Sequence, residues 1–287
     1  MTRVALLGTG AMGFRMAQLL QTQHHLIVYN RSPEKLKPLL EQGATYAETP
    51  KAAAEQADIL ISMVTNDESS RDIWLHPDSG AVHGLRQPKI AIESSTLTVE
   101  WTQELAAAVQ NTGAAFLDAP VVGSRPQAEA KQLISLVGGK AETLAQAKSV
   151  LSAAGVAAIH HLGEVGQGMA MKLAVNALFG VQVAALAELL GMLSGQGLSP
   201  EVAMACLNKL PVTSPAIKGA GSLMVSERHA PLFPIHLVAK DFRYVLQGVN
   251  AVGGSAPVSQ AAQEVYQAAI AQGHGDANIT GVARLFQ

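Results

Sequence analysis

Val4-Ala-Leu-Leu7-Gly8-Thr9-Gly10-Ala11-Met12-Gly13 is a short apolar run that breaks into spaced glycines, after which Phe14 to Leu20 carries apolar residues at helical spacing. Strand, glycine turn and helix is the setting in which a G-x-G-x-x-G pattern acquires chemical meaning. Gly8 permits the tight turn, Gly10 lets backbone amides approach a pyrophosphate, and Gly13 lets the helix sit close against the sheet. The anion then faces the helix N-terminus, where free amides and the dipole favour negative charge. An ordinary glycine-rich turn is the alternative, but a turn that directly follows a strand and opens a helix reads as dinucleotide binding.

The alternation continues outward from that turn. Leu26 to Tyr29 reads as a strand, Pro33 to Gln42 as a helix, and Ile59 to Val64 and Ile90 to Glu93 as strands. Thr98 to Gln110 reads as a helix, Ala115 to Leu117 and Leu133 to Val137 as strands, Ala141 to Ala153 as a helix, and Ala157 to His160 as the last strand. Such βα units predict an α/β Rossmann-type N-terminal domain on a parallel sheet over residues 1–162. After His161 strand signals stop, and helices are expected over Gly168 to Ser194, Pro200 to Lys209, Ile235 to Val252 and Pro257 to Ala271, with a short one near Ile279 to Leu285. Residues 163–287 therefore read as a second, all-α C-terminal domain, with the glycine-rich stretch Gly163 to Gly168 as the hinge.

Between Met169 and Leu190 the strongly polar residues are Lys172, Asn176, Gln182 and Glu188, so that helix is expected to be apolar nearly all round and buried. Gly168, Lys172 and Asn176 share one face at i, i+4 spacing. A buried ammonium is costly and proteins commonly lower its pKa toward neutrality, which suits a general acid or base. A lysine snorkelling from a partly exposed helix has the same spacing. The run is also long enough to raise a membrane span, against which stands the cost of about 3 kcal/mol for a lysine in such a segment.

The 287-residue chain is 48% apolar and 15% charged, with a net charge of −2, a globular composition without the basic footprint of a nucleic-acid or anionic-membrane binder. A small-molecule substrate is expected, and neither nucleic acid nor membrane as partner. The single cysteine, Cys206, makes no internal disulfide and is expected as a buried core thiol, and the composition and N-terminus read as cytoplasmic. His24-His25 and His160-His161 lie on strands or strand ends, where neighbours point to opposite faces, so no metal site is expected.

At the end of the second predicted strand, where an acidic residue would hold the ribose hydroxyls of NAD, the chain has Asn30-Arg31-Ser32. Arg31 can pair with a 2′-phosphate and Asn30 and Ser32 can donate to it, so NADP (NADPH) is the expected cofactor. A solvated surface arginine is the alternative.

The glycine turn, the segment Asp118-Ala-Pro-Val-Val-Gly123-Ser124, the helix Gly168 to Asn176 and Lys240-Asp241 occur in this order. Together they resemble the β-hydroxyacid dehydrogenase family, the 3-hydroxyisobutyrate dehydrogenase-like enzymes, over essentially the whole chain. Asn30-Arg31-Ser32 and Val122-Gly123-Ser124-Arg125-Pro126 are similar to its glyoxylate/succinic semialdehyde reductase branch.

The resemblance implies an NADPH-dependent oxidoreductase that reduces a short aldehyde acid, or oxidises a hydroxy acid; the long apolar helix and the Gly/Ala-rich helices of the second domain predict a homodimer or homotetramer. It implies that Lys172 exchanges the proton on the substrate oxygen and that Asn176 orients the substrate beside it. Gly8, Thr9, Gly10, Ala11, Met12, Gly13, Asn30, Arg31, Ser32, Met63, Val64, Thr96 and Lys240 are implied on the cofactor. Thr96, Val122, Gly123, Ser124, Lys172, Asn176, Phe233 and Asp241 are implied on the substrate. Val122 departs from the family, which commonly has a serine there, so carboxylate binding is expected to rest on backbone amides, Ser124, Thr96 or a basic group, or else the substrate differs from the family's typical one. Each position also has a plain structural role: Thr96 and Asp118-Ala-Pro120 as strand ends, Phe233 as core, Lys240-Asp241 as a solvated helix face. A non-catalytic NADP-binding module and an imine reductase remain as alternatives, against which Lys172 and Asn176 weigh.

Overall fold

The computed structural model describes all residues, 1–287. Its first compact unit, Met1–Lys172, is built on one sheet of nine strands: β1 (Arg3–Leu7), β2 (His25–Tyr29), β3 (Thr45–Tyr46), β4 (Ile59–Ser62), β5 (Ile90–Glu93), β6 (Ala115–Asp118), β7 (Val121–Val122), β8 (Leu133–Gly139) and β9 (Val156–Gly163). The order is β3-β2-β1-β4-β5-β6-β8-β7, with β9 beside β8. From β3 to β6 every pairing is parallel, and the winding reverses between β1 and β4, the switch point at which doubly wound sheets bind ligands.

Because strand side chains alternate, Val4 and Leu6 of β1 enter the core on one face of the sheet, while Ala5 and Leu7 enter the core on the other. Helices α1 (Ala11–Leu20) and α7 (Ala141–Ala153) supply Met16, Leu20, Val150 and Leu151 to the first core, and α5 (Val99–Gln110) supplies Trp101 and Leu105 to the second. Burial on both faces explains why β1, β4 and β5 read as continuous apolar runs.

The parallel expectation fails beyond β6. There β8 runs antiparallel to both β6 and β7, pairing Leu117 with Gly139 and Val122 with Ile134, and is parallel only to β9. The sole helix in that connection, α6 (Arg125–Glu129), has five residues, too few to cross back over the sheet as a parallel return requires. The predicted helix Pro33 to Gln42 is a 3₁₀ turn, Pro33–Leu36, followed by a four-residue α2 (Lys37–Leu40), because Pro38 has no amide for a continuous helical ladder. Helices α3 (Pro50–Gln56) and α4 (Asp67–Leu75) were not legible as apolar stripes, and both rely on caps, the side chains of Thr49 and Asn66 accepting from Ala52 N and Ser69 N.

The second unit, Leu173–Gln287, is all helical. It contains α9 (Pro200–Leu207), α10 (Pro215–Val225), α11 (Ile235–Ala251), α12 (Pro257–Ala271), a 3₁₀ segment Ile279–Phe286 and most of α8 (Gln167–Gly195). Its core joins Val183, Leu186, Leu190, Met224, Val238, Phe242, Tyr266 and Val282. Helix α10 was not anticipated from sequence, since Gly219 and Gly221 lower its propensity; Gly221 lies where a Cβ would strike the Met204 side chain.

The first compact unit extends to Lys172, because the first turn of α8 is held by the sheet, as described below. Two expectations are corrected here. Cys206 is exposed: on α9 the buried residues are Ala203 and Met204, and Cys206 falls outside that pair. The long helix α8 is not buried all round. Only 39% of its most apolar 18-residue window is buried, and Met171, Leu178, Leu189 and Met192 stand exposed. By length and composition α8 is a helix that could cross a membrane.

Candidate active site

The glycine turn sits at the C-terminal end of β1, between the ends of β2 and β4. Gly8 has φ +93°, and a Cβ there would lie 2.5 Å from the Met63 carbonyl oxygen, so the turn tolerates no side chain. A Cβ on Gly13 would collide with the Gly8 carbonyl oxygen, which is the close helix approach the third glycine allows. At Gly10 the same test meets nothing within 4 Å. Gly10 is exposed at the N-cap of α1, no side chain caps that helix, and the first intrahelical bond runs from Phe14 N to Gly10 O at 3.0 Å. The first-turn amides of Ala11, Met12 and Gly13 are therefore those a pyrophosphate would take, and the open space over Gly10 fits it.

The three loops around this turn are tied together. Asn30 accepts from Thr9 N at 3.2 Å and donates through Nδ2 to Ser32 O at 2.9 Å, so its amide holds the glycine turn to the end of β2. Arg31 is exposed beside it. Met63 and Val64 follow the end of β4, with Met63 N donating to Leu7 O at 2.9 Å and Val64 N donating to Ser95 Oγ at 2.8 Å. Ser95 in turn donates its amide to Glu93 Oε1 at 2.9 Å, and Glu93 Oε2 accepts from Ser70 Oγ at 2.7 Å and Trp74 Nε1 at 2.9 Å. Glu93 is fully buried, and its three hydrogen bonds, with that from Val64 N to Ser95 Oγ, order the Ser94-Ser95-Thr96 loop against the Met63-Val64 loop. Sequence reasoning missed this residue, whose only signal was a carboxylate ending an otherwise apolar strand.

Thr96 is half-buried just beyond β5, and its neighbour Leu97 N donates to the Met169 sulfur at 3.1 Å. Met169 lies in the first turn of α8, three residues before Lys172. Asp118, at the end of β6, is fully buried and accepts from Gly166 N through Oδ1 and from Met169 N through Oδ2, each at 2.8 Å. Burial pushes its carboxyl above the usual carboxylate range, while these amide donors pull the other way. Gly163 to Gly168 is thus pinned to the sheet rather than loose. Lys172 is buried, with 7% of its surface exposed, and it is the last residue of this unit. The snorkelling alternative is not what the structure shows.

The predicted carboxylate turn is more structured than a loop. Val122 is on β7, Gly123 has φ +128°, and Ser124 caps α6 while its own amide donates to Gln127 Oε1 at 3.0 Å. That amide is already engaged, so an anion here would have to compete with Gln127.

In the helical unit, Asn176 Nδ2 donates to Asp241 Oδ2 at 2.6 Å, and Lys240 Nζ lies 3.0 Å from Asp241 Oδ1 and 4.7 Å from the centre of the Tyr244 ring. Asp241 is buried and Lys240 half-buried beside it, a network rather than a solvated face. Phe233 is half-buried against this unit's core, its backbone bonded to Asn278 and Ile279.

Two family models match the chain: the NAD-binding domain of 6-phosphogluconate dehydrogenase over residues 3–166 and the NAD-binding domain of NADP-dependent 3-hydroxyisobutyrate dehydrogenase over residues 166–286. Glyoxylate/succinic semialdehyde reductase 2 (chloroplastic) of Arabidopsis thaliana is 33% identical over 97% of this chain and 78% of its own length. Glyoxylate/succinic semialdehyde reductase 1 of the same plant is 30% identical over 97% of this chain and 96% of its own length. Among solved structures, a Mycobacterium tuberculosis 3-hydroxyisobutyrate dehydrogenase described with L-serine has 28% identity and a TM-score of 0.90, covering 100% of this chain and 99% of that one.

Proposed function

Since the chain belongs to the β-hydroxyacid dehydrogenase family and is an NAD(P)-dependent oxidoreductase, we propose that it reduces a short aldehyde acid, such as glyoxylate or succinic semialdehyde, to the hydroxy acid, using NADPH and Lys172 as the general acid. The observation that carries this reading is Lys172 itself, buried at 7% exposure and mounted one turn beyond a helix start that Asp118 and Met169 anchor.

The cofactor, when bound, supplies hydride chemistry. The protein's own work is to bind, orient and move a proton. The first-turn amides of Ala11, Met12 and Gly13 would take the diphosphate, and Arg31 is the group that favours a 2′-phosphate. Lys172 donates a proton to the substrate oxygen as negative charge develops there, and takes it back when the reaction runs toward oxidation. Asn176, one turn along α8, is kept in one orientation by Asp241, which suits it to align the substrate. The names of the plant relatives support an aldehyde acid. The likeness to a 3-hydroxyisobutyrate dehydrogenase supports the same site working in the oxidative direction.

Steady-state oxidation of NADPH and of NADH with glyoxylate, succinic semialdehyde and related acids tests the reading. Wild-type protein is expected to turn over with NADPH, and Lys172→Ala to lose about 100-fold or more in kcat with little change in NADPH affinity. Turnover retained by Lys172→Ala would remove the lysine from the mechanism.

A further inference from the structure

We propose that Asp118 is a positioning residue for Lys172: its buried carboxylate fixes the first turn of α8 to the end of β6, and Met169 in that turn locks it to the loop carrying Thr96. The inference rests on the reading of Lys172 as the proton donor.

A carboxylate buried without a neighbouring cation is costly, so its surroundings must repay it with hydrogen bonds. Asp118 is fully buried, and the donors that reach it are backbone amides from one short segment, Gly166 and Met169 at 2.8 Å each, with further contributions from the Gly168 amide and its own. Those amides belong to the start of α8, whose unfilled N–H groups and positive dipole end favour an anion. The carboxylate, fifty residues away in sequence, thus acts as the cap of the helix that bears Lys172.

The surrounding backbone is shaped for this one side chain. A Cβ on Gly138 would strike Asp118 Oδ1, and a Cβ on Gly168 would lie 2.8 Å from Oδ2. Two glycines therefore open the space that the carboxylate fills, one on β8 and one in the first turn of α8. A longer acid does not fit that space, and a neutral amide of the same shape turns an NH2 group toward a backbone N–H.

The same turn is gripped from a second direction. The Met169 amide donates to Asp118, while its sulfur accepts the amide of Leu97, the residue after Thr96. Lys172 lies one turn further on, in the stretch of helix that these two bonds hold. Displacement of a catalytic group by about 1 Å costs on the order of 100-fold in rate.

Asp118→Asn, Asp118→Glu, Met169→Leu and Lys172→Ala proteins are compared by NADPH titration and by kcat and KM for the best aldehyde acid of the panel. Asp118→Asn is expected to lower kcat about 10- to 100-fold while KM and NADPH affinity stay within about twofold. Asp118→Glu should not rescue it, and Met169→Leu should lower kcat in the same direction by a smaller factor. A merely structural role would instead weaken NADPH binding and activity together. If Asp118→Asn fails to fold, Met169→Leu decides: lower kcat with intact NADPH binding supports the inference, and wild-type kcat overturns it. Full turnover in Lys172→Ala overturns the lysine reading and this inference with it, whereas loss of turnover there alongside wild-type kcat in Asp118→Asn overturns the positioning role alone.

Discussion

At the scale of single residues, the structure gives several of the named positions bonds that the sequence did not show. Asn30 is expected as a donor to a 2′-phosphate; its amide bridges Thr9 and Ser32, and Arg31 beside it is exposed, so the proposed preference for NADPH is tested first at Arg31. Charge-assisted hydrogen bonds contribute about 1.5–3 kcal/mol each, so Arg31→Ala should weaken NADPH binding about 10- to 100-fold and leave NADH binding nearly unchanged. Fluorescence titration of the two cofactors measures this, and equal losses for both would reduce Arg31 to a surface charge. Lys172 was legible because a lone cation in an apolar helix stands out against its neighbours. Glu93 and the capping role of Asp118 were not, since a carboxylate at a strand end looks the same whether it meets water or a buried ring of donors.

At the scale of elements, periodicity found those that bury a stripe and missed those held by particular bonds. Helix α7 was read to its observed ends because its apolar residues recur on one face. Helix α3 was missed, and its C-terminal end shows why: Lys89, which follows β4 and α4 in the chain, donates to the Ala54 carbonyl and to Glu55 O and Ala57 O at 2.9 and 2.7 Å. The lysine is buried, with its pKa held down by desolvation, and no local pattern announces that it serves that helix. Lys89→Met keeps the stem and removes the donor, leaving buried carbonyls unpaired, and should cost about 2 kcal/mol in denaturant unfolding. An unchanged midpoint would mean that solvent replaces the ammonium at no cost. The antiparallel β8 was illegible for a related reason: a strand's direction depends on how the chain returns, and the turn through β7 and the short α6 has no stripe to read.

At the scale of the whole molecule, the helical unit carries a titrating group that couples fold to pH. His229 is buried beneath the closing 3₁₀ segment, with Nδ1 3.1 Å from Thr280 Oγ1, and burial, aided by Arg284, holds its pKa below the ordinary 6.5. An unfolded chain binds that proton first as pH falls, so the stability this histidine contributes is present above about pH 6.5 and is lost below it. His229→Asn keeps a polar partner for Thr280 without the proton, and its urea midpoint should fall less between about pH 7 and 5 than that of the wild type. Parallel curves for the two proteins would show that His229 does not titrate in that range. Taken alone, the amino-acid order determined a nucleotide-binding α/β half, a helical half and the lysine between apolar neighbours, because glycine sterics and hydrophobic periodicity are local properties that survive in one dimension. What holds that lysine in place was decided only in three dimensions. The Asp118 carboxylate and the amides of α8 are fifty residues apart, and their bond exists because two glycines elsewhere leave room for it.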